Sequence, residues 1–175
     1  MVAFRATDKH RLEFLASPVP YPIRSFVPQS SLPCGGTLLP RLFTAARTLL
    51  AGTRITGQQL AVVTNAGGPG RMAADRARRR GVILAQPTAG THAALRSLMP
   101  THWQPENPLD LLGDAGPERY AAACKALLDD PGVDGLLVLL TPQGMTDPDA
   151  CAQAVIETAK GARKPVVACW MGEDL

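Results

Sequence analysis

No stretch of this 175-residue chain reaches the roughly 18 uninterrupted apolar residues that a membrane-spanning helix requires, although its mean hydropathy is +0.02. A membrane partner is therefore not expected. Aromatic residues make up only 5%, which disfavours an all-β sandwich and leaves Ala, Val, Leu and Gly to pack helices on a buried sheet. Histidine is scarce too. His10, His92 and His102 adjoin no Ser, Cys or acid in a nucleophile arrangement, so no catalytic triad can be assembled. Cys34, Cys124, Cys151 and Cys169 form no Cys-x-x-Cys pair and are not joined by His at metal-ligand spacing. Buried reduced thiols are expected, with no metal. The first residues meet Asp8, Lys9 and Arg11 before any apolar run forms, which excludes a secretory signal and points to a cytoplasmic location.

What the chain does contain is unevenly placed. Residues 41–80 hold eight Arg and a single acid, Asp75, whereas residues 101–175 hold twelve acids and five bases. Arg71, Arg76, Arg78, Arg79 and Arg80 have the charge to meet a nucleic-acid backbone, but no aromatic residues interleave them. A solvated helix face is the expected reading, with no nucleic-acid partner. Six of the sixteen prolines fall in residues 1–40, which read as an irregular N-terminal segment. After Pro40, Leu42, Phe43, Ala46, Leu49 and Leu50 recur at helical spacing up to Gly52.

From Leu60 onward short apolar runs alternate with amphipathic stretches, the pattern of βα units. Strands are expected at Leu60–Thr64, Val82–Leu84, Gly135–Leu140 and Pro165–Trp170. Between them helices are expected over Pro69–Arg80, from Thr88 to about Leu98, over Pro117–Leu128, and from Asp147-Pro148 to about Lys160. The last strand is followed by five residues, so a domain incomplete at its C-terminal end is expected.

Three segments have the composition of a site. Asn65-Ala66-Gly67-Gly68-Pro69-Gly70 joins a strand to a helix, where backbone amides and the helix dipole can hold an anion. It is neither a Walker A loop nor a dinucleotide fingerprint, and a sharp βα turn would use the same glycines. Asp75 either packs toward this bend or pairs with Arg71 or Arg79. Asn107-Pro108-Leu109-Asp110-Leu111-Leu112-Gly113-Asp114 places two carboxylates near an Asn, suited to a metal or to proton shuttling, and equally to a plain turn. Thr141 to Pro148 follows the most apolar strand, at the edge where open α/β sheets place ligands. His92 opens a helix and reads as a surface residue before it reads as a phosphoryl acceptor.

Taken in order, Val63-Thr64-Asn65-Ala66-Gly67-Gly68-Pro69-Gly70, Met72-Ala73-Ala74-Asp75, Asn107-Pro108-Leu109-Asp110, Gly113-Asp114-Ala115 and Leu140-Thr141-Pro142-Gln143 resemble the ADP-forming acyl-CoA synthetase family. The resemblance covers residues 41–175. It implies a succinyl-CoA-synthetase-like domain with a flavodoxin-like, doubly wound, mostly parallel sheet, as in bacterial chains that also carry a Gcn5-type acetyltransferase.

The resemblance implies further that Asn65, Ala66, Gly67, Gly68 and Gly70 face a phosphorylated group, with Asp75, Asn107, Asp110, Gly113 and Asp114 in support near the same carboxyl edge. The family couples acyl-CoA formation to ATP through an acyl phosphate and a phosphohistidine. Its Ser-His-Thr-Gly type segment is absent here, so no catalytic residue is assigned and the isolated chain is expected to be inactive. ATP, Mg and CoA are implied for the complete enzyme, with none bound by this domain alone. The implied partners are CoA-binding and ATP-grasp domains or subunits. At Arg71 the chain departs from the small apolar residue usual in the family. A non-catalytic module of a protein lysine acetyltransferase and a degenerate gene product are the alternatives.

Overall fold

The computed structural model describes residues 57–101, 103 and 105–171. The expected irregular segment 1–40, the helix expected after Pro40, Cys34, His10, His102 and Gly172 lie outside the described residues. The elements alternate as β1 (Gln59–Thr64), α1 (Gly67–Arg78), β2 (Ile83–Leu84), α2 (Ala89–Arg96), β3 (Leu109–Asp110), α3 (Pro117–Asp129), β4 (Gly135–Leu140), α4 (Pro148–Ala159) and β5 (Val166–Trp170). Every strand pair is parallel, in the order β2-β1-β4-β5 with β3 also on β1, as the α/β doubly wound class expects.

Apolar alternation along the strands decides which helix covers which face. Ala61 and Val63 of β1, Leu136, Val138 and Leu140 of β4, and Ala168 of β5 join one core cluster with Tyr120, Cys124 and Leu127 of α3 and Cys151 and Val155 of α4. Thr64 points the other way and meets α1, where a Cβ on Gly70 would come within 2.8 Å of its Cγ2. Helices therefore lie on both faces. Tyr120 is fully buried and donates its hydroxyl proton to Leu139 O (3.0 Å); desolvation drives its pKa far above the ordinary phenol value.

Local signals place the element ends within one or two residues of expectation, with one consequential difference. Thr88 caps α2 by accepting from Thr91 N, and Asp147 caps α4 by accepting from Asp149 N and Ala150 N. Helix α1 begins at Gly67 instead of Pro69, because Ala66 is the extended residue (φ −146, ψ 118) and both glycines already take part in the first turn. It closes at Gly81 (φ 77), with Val82 N donating back to Ala77 O (3.0 Å). Cys124 and Cys151 are buried free thiols, and burial pushes the Cys124 thiol up to about 12. Cys169 is only half-buried, on β5, whose one neighbour among the described residues is β4.

Asp130 braces the far end of the sheet. Only 2% exposed, it accepts from Thr88 N (2.7 Å), Thr88 Oγ1 (2.8 Å) and Gly132 N (2.7 Å), while Lys164 Nζ donates to its main-chain oxygen. Burial alone would raise its pKa, but hydrogen bonds from Thr91, Thr88 and Gly132 outweigh it and hold the carboxyl at about 2 against an ordinary 3.8. A depressed folded-state value means that this stabilisation is complete above about pH 4 and is lost as pH falls through about 2. At roughly 1.4 kcal/mol per pKa unit the linked contribution is about 2 kcal/mol. Asp130→Asn should therefore lower the urea midpoint at pH 6 and flatten its fall between pH 5 and pH 3; an unchanged acid slope would refute the assignment.

Candidate functional site

The parallel sheet divides at β1, which feeds α1 onto one face while the neighbouring β4 feeds α4 onto the other. That topological switch lies at the carboxyl ends of the two strands, the position at which open α/β sheets place ligands. Three connections meet there. In the first, Thr64 Oγ1 accepts from Ala66 N (3.1 Å) and tightens the bend after β1. Asn65, 1% exposed, accepts from Thr141 N through Oδ1 and donates to Thr141 O through Nδ2, both at 2.8 Å. Its amide thus extends the β1–β4 ladder by one rung after the two main chains have separated. In the second, Thr146 Oγ1 of the β4–α4 connection donates to Gly113 O (3.2 Å) of the β3–α3 connection. From the same β4–α4 connection, Gln143 Nε2 donates to Asn65 O (3.0 Å) in the first.

This arrangement sorts the five residues expected to face a phosphate. Asn65 is consumed by Thr141, and the N–H of Ala66 by Thr64. Gly70 N donates to Ala66 O (3.3 Å), and its missing side chain admits Thr64 and Pro108, which a Cβ would approach to 2.8 and 3.2 Å. Gly70 is thus a packing glycine. Pro69 has no N–H. The amides of Gly67 and Gly68 remain, with no acceptor among the described residues, at a helix whose N-cap Ala66 offers no side-chain bond and whose first turn carries no acid. Gly68 is exposed, and a Cβ there would meet nothing within 4 Å. Two adjacent free donors at the positive end of a helix dipole are suited to an anion.

The expected supporting residues separate likewise. Asp110 is at the mouth: its Oδ1 accepts from Leu112 N (2.9 Å) and its Oδ2 lies 3.0 Å from where a Gly67 Cβ would stand. Leu112 holds φ 70 in the same turn, an uncommon conformation for a residue with a branched side chain. Gly113 is at the mouth too, facing Gln143. Asp114 is on the outer side, paired with Arg119 at 2.7 Å; that hydrogen bond holds its carboxyl below the ordinary carboxylate value.

Two residues are not where the resemblance implies. Asp75 is exposed on the solvent side of α1 and pairs with Arg78 at 3.6 Å, one turn on, instead of Arg71 or Arg79. Arg71 is likewise exposed. Asn107 lies away from the carboxyl edge, within the sheet, where it accepts from Val62 N (3.0 Å) and donates to Leu60 O (2.8 Å) and Ala85 O (2.9 Å). It fills the gap on β1 between β2, registered at Gln59 and Leu60, and β3, registered at Val63 and Thr64. His92 lines a small cavity with Pro87, Glu106 and Asn107 and takes no part in the glycine bend. Gln143 and Thr146 are the residues that sequence reasoning missed. Their signals were the position of Thr141 to Pro148 after the most apolar strand and, for Gln143, its place in the Leu140-Thr141-Pro142-Gln143 motif, but neither was assigned a site role.

Comparison with known proteins adds an independent finding. Residues 60–174 match the family described as the Ligase-CoA domain. The chain is 39% identical over 115 residues to an ADP-forming acetate–CoA ligase I of Archaeoglobus fulgidus, covering 66% of this chain and 16% of that protein. It is 40% identical over 120 residues to the alpha subunit of an ADP-forming acetate–CoA ligase II of Pyrococcus furiosus, of which it covers 26%. The chain thus spans a small part of these relatives. Among solved structures, a dinucleotide-forming acetyl-coenzyme A synthetase 1 of Candidatus Korarchaeum cryptofilum, in complex with phosphate and ADP, superposes with a TM-score of 0.65. That similarity is at 30% identity and covers 71% of this chain and 27% of the other.

Proposed function

The chain belongs to the Ligase-CoA domain family of ADP-forming acyl-CoA synthetases, and from that premise we propose that its Gly67 and Gly68 amides stabilise a phosphoryl group in transit during acyl-CoA formation. The observation that carries this reading is the pair of donors at the switch point of the sheet that find no acceptor among the described residues. Charge that builds on phosphoryl oxygens during transfer would be met by fixed dipoles that need no reorganisation. The chain supplies no nucleophile in this scheme. ATP provides the phosphoryl group and CoA accepts the acyl group in the complete enzyme. The CoA-binding and ATP-grasp parts are assigned to other domains or subunits, in keeping with a relative described as a subunit alpha.

Among the described residues no three of His, Cys, Asp and Glu converge, so no Mg2+ site is assigned to these residues. Residues 41–175 are taken as one domain and residues 1–40 as a separate segment. Met72 and Met145, 75% and 78% exposed, lie one turn from Gly68 and on the loop that joins Asn65. They provide apolar surface for a partner that delivers the phosphorylated group.

Titrating inorganic phosphate into the full chain should shift the amide resonances of Gly67 and Gly68 selectively. Gly68→Glu, which puts a carboxylate over the donors, should weaken the response at least about tenfold, whereas Gly68→Ala should retain it because its Cβ enters open space. Resonances that stay in place up to high millimolar phosphate would overturn the reading. Mixing the chain with CoA-binding and ATP-grasp partners and measuring ATP- and CoA-dependent acyl transfer tests the larger assignment.

A further inference from the structure

Gln143 is more than a third exposed, yet its head group is bound on two sides. Nε2 donates to Asn65 O at 3.0 Å. Its carbonyl end lies over the Cα of Gly113, with Cδ 3.1 Å and Nε2 3.3 Å from where a Gly113 Cβ would stand. Gly113 has no left-handed φ that would demand glycine for the backbone. Its lack of a side chain is explained by the amide parked against it.

We propose that Gln143 is a positioning residue, a latch seated on Gly113 that holds the Asn65 carbonyl back so that the following amides of Gly67 and Gly68 point together at the carboxyl edge of the sheet. The proposal rests on the phosphate reading of those amides for its consequence, but not for its geometry. Asn65 already fixes the bend to β4 through Thr141, so the fold does not depend on the latch. What the latch adds is a second fixture on the Asn65–Ala66 peptide plane, through its carbonyl, beside the Thr64 Oγ1 that already holds the Ala66 N–H. An exposed side chain bound by one hydrogen bond can be removed without leaving a buried group unpaired, because the Asn65 carbonyl then meets water.

Two variants approach the latch from opposite sides. Gln143→Ala removes the donor and opens the Asn65 carbonyl to water. Gly113→Ala keeps Gln143 but displaces its head group, which is the flexible end of a long side chain. Both should melt within a few degrees of the wild type, show lower backbone order parameters at the Gly67 and Gly68 amides in the free protein, and bind phosphate about three- to tenfold more weakly. The double variant should be no worse than either single one, since both remove the same contact. Unchanged order parameters at Gly67 and Gly68 in both variants overturn the latch. Lower order parameters in a chain whose wild type shows no phosphate response keep the latch and overturn the phosphate reading. Losses that add in the double variant, or that follow a large fall in melting temperature, mean a general packing role and also overturn it.

Discussion

Asn107→Ala is expected to destabilise the domain by about 3–5 kcal/mol, the largest effect of any single change considered. The side chain satisfies one donor and two acceptors of the sheet, Val62 N, Leu60 O and Ala85 O, at a level of β1 that neither β2 nor β3 reaches. Removing it leaves Val62 N, on a fully buried residue, and Ala85 O, also buried, without that partner. Each unpaired buried group costs about 1–3 kcal/mol. Against a total of about 5–15 kcal/mol for a typical domain, the loss is a large fraction.

Asn107→Asp separates this explanation from simple loss of volume. A carboxylate oxygen would face the two carbonyls that now accept from Nδ2, so at neutral pH this variant should be less stable than Asn107→Ala. Repulsion from those carbonyls raises the carboxyl pKa, and protonation restores one donor, so the deficit should shrink as the pH is lowered from 7 to 5. Urea unfolding of both variants at the two pH values is the measurement. A variant carrying aspartate that is as stable as the wild type at pH 7 would mean that the amide does not bridge the gap.

Asn65→Ala is the second large effect, expected at about 2–4 kcal/mol. It frees Thr141 N and Thr141 O at the carboxyl edge and removes a side chain that is 1% exposed. The β1–α1 and β4–α4 connections then lose the rung that ties them. Its signature differs from that of Asn107→Ala: phosphate response at Gly67 and Gly68 should be lost along with stability, because the bend that carries them is anchored by Asn65. Asn107→Ala, studied where it is still folded, should keep that response. Thermal melting paired with phosphate titration reads both quantities. A stable Asn65→Ala protein with full phosphate response would contradict the geometry described above.

The expected elements that depend on neighbouring residues were legible in the chain. The strand Gly135–Leu140 was read with the bounds it has, and the Thr88 and Asp147 caps were read because a cap bonds an amide two or three residues away. The βα alternation from Leu60 implied the parallel sheet. The candidate site was legible in outline only. Its glycine bend was found, but Gly70 was grouped with Gly67 and Gly68, and Asn107 was placed at the edge with Asp110. Glycine that packs and glycine that exposes an amide look alike in a sequence. An asparagine that forms a turn looks like one that replaces a strand.

Local chemistry along the chain therefore determined which runs form helices and strands and pointed to the glycine bend as a place for an anion. Tertiary structure decided which amides are left to hold it. The groups that consume Asn65 and Asn107 come from residues 76 positions away in one case and 22 to 47 in the other, and only the folded sheet brings them within 3 Å. A donor is free only after all its competitors have been paired, and that depends on every strand being in register.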